Sequence, residues 1–474
     1  MKGYHSPLQS RYASEEMQYL FSPENKFRTW RLLWVILAEA ERELGLNITE
    51  EQIADLKKYV DNINYDVAEE REKEVRHDVM AHVYAYGVQA TIAKGIIHLG
   101  ATSCYVTDNT DLIVMHEALK LIQTKVTSII YKLKEFALTY KDLPTLGFTH
   151  FQAAQLTTVG KRATLWIHEL MLDLQQIENQ LNQAYLLGSK GTTGTQESFL
   201  SLFDQDHEKV KELDEKIAKK LGYQGVYPVS GQTYSRKIDD QYLNVLKGIA
   251  VSSHKFANDL RLLQSLKEIE EPFEKYQIGS SAMAYKRNPM RSERMTGLAR
   301  FVITNSQNAS LTAAEQWFER TLDDSSNKRL AVSECFLATD AILNVFLNIV
   351  DGLVVYPQVI EKHVQEELPF MVTETILMKA VKKGGDRQEL HEKIRQYSMQ
   401  AASEVKNEGK RNRLLEMILA DASFGLNKEE LGLILESKNF IGRAKEQTEE
   451  YITEIVEKKL SEFPEILHGY QLKV

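Results

Sequence analysis

The chain has 474 residues, 43% hydrophobic and 26% charged, with a formal net charge of -9. That composition excludes a disordered chain, and at ~100–200 residues per domain the length allows two to four domains around a large core. The acidic surplus argues against tracking a nucleic-acid backbone but leaves small anions open, because their recognition depends on the local field.

Nine prolines stand where average usage of ~5% would give about 24. None lies between Pro23 and Pro144, or between Pro144 and Pro228. Proline breaks helix interiors, so these gaps predict long helices. In chain order, shorter helices are expected near 26–44 and 49–59, followed by a glycine-containing stretch at 95–103. An apolar series then runs Leu112, Met115, Leu119, Ile122, Val126, Ile129, Leu133, Phe136, Tyr140, in steps of 3 and 4. This is a heptad seam held over four heptads. A second helix is predicted from Val159 through Trp166, Leu174 and Ile177 to Tyr185, with Gly188 placed to end it. A third carries Ile238, Leu246, Phe256 and Leu263 and stops before Pro272. Two more are expected at 292–320 and 328–354. Gly352-Leu-Val-Val-Tyr356 is short and reads as a helix end. At 1.5 Å per residue these helices span ~40–50 Å each and outrun the core of one subunit. Their exposed seams need partners, which predicts a homo-oligomer with a shared helical bundle. The expected architecture is all-α, with helical domains at 1–103, 104–355 and 356–474, the central one a long five-helix bundle.

No run approaches the ~18 apolar residues of a membrane span, and residues 1–9 lack the basic-then-apolar order of a signal peptide, so a cytoplasmic protein is expected. Cys104 and Cys335 are too few for a disulfide framework or a four-thiolate metal site.

The segment 279–294 reads Gly-Ser-Ser-Ala-Met-Ala-Tyr-Lys-Arg-Asn-Pro-Met-Arg-Ser-Glu-Arg. It interrupts two helical patterns with adjacent serines and the cations Lys286, Arg287, Arg291 and Arg294, with Arg300 just beyond. These are parts suited to gripping carboxylates or phosphate. A solvated basic loop is the plainer alternative. It is not a Gly-x-Ser-x-Gly elbow, so a serine hydrolase is weakly supported. His150 falls in the link after Pro144, where a histidine facing a cleft titrates near neutrality. His77 and His82 are five apart, which excludes His-Glu-x-x-His zinc chemistry. Gly100-Ala-Thr-Ser103 offers hydroxyls and amides where the helical pattern resumes. The glycine-rich run 188–194 lacks a P-loop ending, and nucleotide-triphosphate binding there is discarded.

Together these segments resemble the aspartase/fumarase superfamily of lyases, and within it the branch acting on succinylated purine nucleotides. Residues 279–289 resemble the signature Gly-Ser-Ser-x-Met-Pro-x-Lys-x-Asn-Pro, with Ala284 in the usual proline position. Supporting stretches are Ser-Arg-Tyr-Ala-Ser at 10–14, Arg-His-Asp-Val-Met-Ala-His at 76–82, His-Leu-Gly-Ala-Thr-Ser-Cys-Tyr-Val at 98–106, Lys-Gly-Thr-Thr-Gly-Thr at 190–195, Gly-Gln-Thr-Tyr-Ser-Arg-Lys at 231–237, and residues 316–324. The resemblance implies β-elimination of fumarate from adenylosuccinate, leaving AMP, and from the succinylated carboxamide ribotide of purine synthesis. It implies a homotetramer with composite sites and no metal or organic cofactor.

By the same resemblance, Ser280 is the general base, with Ser281 its rival, and His150 the general acid. Arg11 and Tyr12 contact the nucleotide phosphate side. Arg76, His77, Asp78 and Gln232 line the nucleotide site. Thr102, Ser103, Lys286 and Asn288 hold the succinyl carboxylates. Arg294, Arg320, Ser325 and Arg329 complete the anion cage. The partners implied are a small anionic nucleotide and other copies of the chain, with neither nucleic acid nor membrane. Another fumarate-releasing lyase, such as one acting on argininosuccinate, and a non-catalytic helical scaffold are the competing readings.

Overall fold

The computed structural model describes residues 3–467 and 472. A π-helical turn at Leu8–Tyr12 leads into five α-helices, Glu15–Leu20 (α1), Pro23–Glu43 (α2), Glu50–Lys58 (α3), Tyr65–Val75 (α4) and Asp78–Gln89 (α5). Their starts are set by side-chain caps. Ser14 and Ser22 each accept the amide three residues on, and Thr49 forms a reciprocal capping box with Gln52.

The long helices follow as Ser103–Thr139 (α6) and Val159–Leu181 (α7). Two shorter ones intervene, Glu197–Leu202 (α8) and His207–Leu221 (α9), before Lys237–Ser265 (α10). Then come Met290–Asn305 (α11), Gln307–Ala314 (α12) and Asp323–Val350 (α13). Among the described residues seven more α-helices follow: Pro357–Met371 (α14), Thr373–Lys382 (α15), Arg387–Glu408 (α16), Leu414–Ala420 (α17), Lys428–Ile434 (α18), Ala444–Tyr451 (α19) and Glu457–Leu460 (α20).

Specific contacts fix the direction of each bundle helix. Lys125 meets Asp340 and Lys132 meets Asp351, so α6 and α13 run parallel. The Phe256 and Phe346 rings stack with centroids 4.2 Å apart, and Tyr242 meets Phe336 nearer the start of both helices, so α10 runs parallel to α13. Trp166 donates to Asp259 at 2.8 Å and Asp173 faces Gly248, so α7 runs opposite to α10. Ser310 bonds to Asp240, so α11 and α12 also run opposite to α10. The bundle therefore has two ends. One gathers the C-terminal ends of α6, α10 and α13. The other gathers their N-terminal ends.

One apolar core runs from the bundle into the C-terminal helices. A second joins the N-terminal helices to Tyr105 and Val106 of α6 and to Phe199, Leu213 and Ile217 of α8 and α9. By length and composition α13 is apolar enough to cross a membrane, but 78% of its apolar window is buried inside the bundle.

Several expectations change. The heptad seam of α6 is not exposed: Leu119, Ile122, Val126, Ile129 and Leu133 are fully buried within the chain, because α6 packs between α7 and α13. Exposed apolar residues lie instead on other bundle helices, among them Leu165, Leu172, Val251, Leu262 and Phe301. The helix expected at 292–320 breaks at Ser306 and ends at Ala314. The second helix stops at Leu181, short of Tyr185 and Gly188. At 1.5 Å per residue α6 reaches about 55 Å, while α11 is only about 24 Å. The link around His150 is an antiparallel hairpin, β1 (Pro144–Thr149) and β2 (Gln152–Thr158). Val354 and Val355 pair as a short strand with Ile269 and Glu270.

Asp173 of α7 is buried against α10, where its carboxylate faces Gly248. Burial raises its pKa to about 7. The folded state therefore holds this proton more tightly than the unfolded chain, where the value is about 4. Its contribution is complete below that value and is lost as pH rises towards 7. Asp173→Asn should flatten the stability decline between about pH 4 and 7, measured as the difference in urea midpoints between variant and parent.

Candidate functional site

At the N-terminal end of the bundle, three loops and two helix starts converge. Arg76 closes α4 with a left-handed backbone (φ 56°), and His77 is the N-cap of α5, accepting the Met80 amide at 3.3 Å. The other ring nitrogen of His77 lies 3.2 Å from the Ser103 hydroxyl in the first turn of α6. Thr102 is the α6 N-cap, and no hydrogen bond to its hydroxyl caps the helix. Asp78 reaches the Arg329 guanidinium at 3.8 Å. Gln232 takes its place because its amide donates to Glu319 O (3.0 Å) and its side chain to Thr192 O (3.1 Å). Both glycine-rich turns are needed for this closeness. A Cβ on Gly194 would lie 2.0 Å from Ser230 O, and one on Gly231 would lie 2.5 Å from Glu319 O.

Behind these groups lies a buried ion network. Arg236 donates to Asp324 at 2.5 Å and to both oxygens of Asp108 at 3.0 and 3.3 Å. Arg320 donates to the same Asp324 at 2.9 Å, and Ser325 and Arg329 follow in the first two turns of α13. Lys328 joins Asp111 and the Tyr234 hydroxyl, which donates to Asp239. Burial opposes the charge on Arg236, but Asp108 and its acidic neighbours outweigh it and hold the guanidinium more firmly charged than usual. The Cys104 thiol, 3.5 Å from the Gln232 side chain, is pushed up to about 12 by burial, with Asp108 adding to the shift, and stays neutral.

The opposite end carries the other candidates. His150 sits at the hairpin tip and is exposed. His150 and Phe151 have φ values of 53° and 56°, as a two-residue hairpin turn requires. Non-glycine residues there store about 1–3 kcal/mol of strain each. Thr158 ends the hairpin by capping α7 through the Lys161 amide.

The 279–289 loop joins α10 to α11 at this same end. Asn288 donates to Gly279 O at 2.7 Å and staples the loop closed. A Cβ at 279 would lie 2.3 Å from Lys286 O, so glycine is required there. The Ser280 hydroxyl oxygen accepts the amides of Met283 (3.1 Å) and Ala282 (3.4 Å). Ser281 and Lys286 are exposed. Arg291 departs from the expected cation cluster: it turns inward to Glu274 and Pro272 O. Glu271 caps α11, accepting the amides of Arg291 and Ser292, and burial raises its pKa against those bonds. A groove of ≈ 660 Å³ beside the loop is lined by Asn258, Arg261, Gln264, Arg287 and Glu293. Arg294, at the start of the second turn of α11, lies over the Tyr12 ring at 5.5 Å, and Arg11 lies 5.9 Å from the same ring.

The candidates thus form two sets. Arg76, His77, Asp78, Thr102, Ser103, Gln232, Arg320, Ser325 and Arg329 gather at one end. His150, Ser280, Lys286, Asn288 and Arg294, with Arg11 and Tyr12, lie towards the other. The 28 residues of α13 between the ends span about 42 Å. The sequence reading missed Asp108, Arg236, Asp324 and Lys328, which support the first set. Their signal was available: Thr107-Asp-Asn-Thr-Asp111 is a polar run between the apolar residues 104–106 and 112–115 on a helix, and Asp108, Asn109 and Thr110 are buried.

Residues 10–304 match the family described as "Lyase", and residues 369–451 the family described as "Adenylosuccinate lyase C-terminus". The adenylosuccinate lyase of Schizosaccharomyces pombe is 53% identical over 467 residues, 98% of this chain and 97% of that protein. That of Saccharomyces cerevisiae is 53% identical over 474 residues, 99% and 98% of the two chains. Among solved structures, the 3-carboxy-cis,cis-muconate lactonizing enzyme from Pseudomonas putida superposes with a TM-score of 0.83 at 19% identity, covering 96% of this chain and 99% of its own, a likeness of fold.

Removing Arg236 should leave Asp108 and Asp324 buried without their main counter-charge. Arg236→Met is expected to lose about 3–5 kcal/mol of unfolding free energy, read by urea denaturation.

Proposed function

Because the chain belongs to the adenylosuccinate lyase family of the aspartase/fumarase superfamily, we infer that its active site is assembled from the two bundle ends, brought together across subunits. The chain is a fumarate-releasing carbon–nitrogen lyase. It splits adenylosuccinate into fumarate and AMP, and treats the succinylated aminoimidazole carboxamide ribotide of purine synthesis alike.

The proton removed lies beside a carboxylate, so negative charge accumulates there as the carbon–hydrogen bond breaks. Fixed cations and donors must meet that charge. Lys286 and Asn288 of the loop, with Thr102 and Ser103 from another subunit, fill this role. Ser280 is the base, and the two amides directed at its oxygen support it over Ser281, since donors to the charged form stabilise an alkoxide. His150 protonates the leaving nitrogen. Arg76, His77, Asp78 and Gln232 receive the nucleotide, and Arg11 and Tyr12 its phosphate. Arg294, Arg320, Ser325 and Arg329 enclose the substrate's roughly four negative charges.

The observation that carries this site is the Ser280 hydroxyl under two amides at the same end as His150. A homotetramer fits the separation of the ends, because antiparallel neighbours place one end of a bundle beside the opposite end of the next. The exposed apolar residues of α7, α10 and α11 support such packing. The three-part division at 103 and 355, a cytoplasmic location and independence from any cofactor belong to the same proposal.

Purified protein should release fumarate from adenylosuccinate, followed by absorbance. Ser280→Ala and His150→Ala should each lower kcat by about a hundredfold or more while remaining folded. Full activity in either would remove that residue from the mechanism.

Shared sites make a second expectation. Inactive His77→Gln and Ser280→Ala chains, unfolded and refolded together, should regain a measurable fraction of parental activity. Either variant refolded alone should not.

A further inference from the structure

The segment carrying Arg11 and Tyr12 is tied to the bundle by one buried polar knot. The Ser14 amide donates to Asp340 Oδ2 at 2.7 Å. Lys125 Nζ donates to Asp340 Oδ1, to Asn344 Oδ1 at 2.7 Å and to Ser14 Oγ at 3.3 Å. Asn344 Nδ2 donates to Asp340 Oδ2 at 3.1 Å and reaches the Tyr12 carbonyl at 3.5 Å. Lys125, Asp340 and Asn344 are 3%, 0% and 1% exposed.

Helix packing alone does not call for these groups. The surrounding α6 and α13 faces are apolar, with Ile122, Ile129, Leu343 and Leu347 fully buried. An ion pair there brings a desolvation cost that hydrophobic residues of similar volume avoid. What the knot does is grip the main chain on both sides of Ala13, at Tyr12 and Ser14. The Tyr12 ring then stands under the Arg294 guanidinium, and Arg11 is left exposed beside it.

We propose that Lys125, Asp340 and Asn344 are positioning residues that set the place of Arg11 and Tyr12 against Arg294, and through them the enzyme's preference for a phosphorylated substrate. None of the three touches the substrate. The assignment rests on the reading of Arg11 and Tyr12 as the phosphate side of the site.

The parent enzyme is first compared on adenylosuccinate and on its phosphate-free nucleoside, succinyladenosine. A preference of about a hundredfold or more in kcat/KM for the phosphorylated substrate upholds the reading of Arg11 and Tyr12, whereas equal turnover of both ends it and the assignment with it. Asp340→Asn is then expected to raise KM for adenylosuccinate about tenfold with kcat within about twofold. Its activity on succinyladenosine should stay near parental, so the preference shrinks about tenfold. A merely structural defect lowers kcat on both substrates in parallel. Asn344→Leu keeps the Lys125–Asp340 pair and should shift the preference in the same direction by about threefold, which covers misfolding of the first variant. Parental preference in either folded variant, or parallel loss on both substrates, would overturn the assignment.

Discussion

Long helices that cannot bend far, α6 and α13 among them, hold the two ends that carry the candidate residues about 40 Å apart. Side-chain reach, loop closure and local rearrangement are all small against that distance. Any chemistry using both ends must therefore use more than one copy. In the proposed reading the bundle is a spacer that presents two half-sites rather than a container for one. Its apolar core makes the spacing rigid, and the surface residues of α7, α10 and α11 are what remain for neighbours.

Each half-site is supported by charge buried where the core would otherwise be apolar. At one end Arg236 binds Asp108 and Asp324, and the loops bearing Gln232 and Arg320 lean on that network. Towards the other end Lys125 and Asp340 grip the main chain next to Tyr12. Buried ion pairs are weak sources of net stability but strict about geometry. Their place here, one layer beneath exposed cations, fits a need to hold positive groups at fixed separations. The acidic net charge of the chain hides this local pattern.

The 279–289 loop is built differently. Asn288 and Gly279 close it on itself, and Arg291 is drawn inward by Glu274. Of the segment's other cations, Lys286 and Arg287 are exposed and Arg294 is half-buried, while Ser281 is exposed and Ser280 half-buried. The charge available to a ligand is thus smaller than the count of basic residues in the segment. Ser280 owes its distinction from Ser281 to two backbone amides, a feature of turn geometry.

Much was legible in the sequence. Proline spacing and the 3-4 apolar period determined an all-α chain with a long central bundle, since helix interiors exclude proline and one helix face must be buried. The motif segments gave the candidate residues and their family. What the sequence left undecided is relational. The α6 seam reads as exposed because periodicity records that a stripe is buried, not by which chain. The hairpin at His150 lacked an Asn-Gly turn, so its strands were hidden. The break at Ser306 carries no proline or glycine. Only the tertiary structure decided which end each candidate occupies, because helix direction within a bundle follows from contacts between residues hundreds apart, such as Ser14 with Asp340 and Asp108 with Arg236.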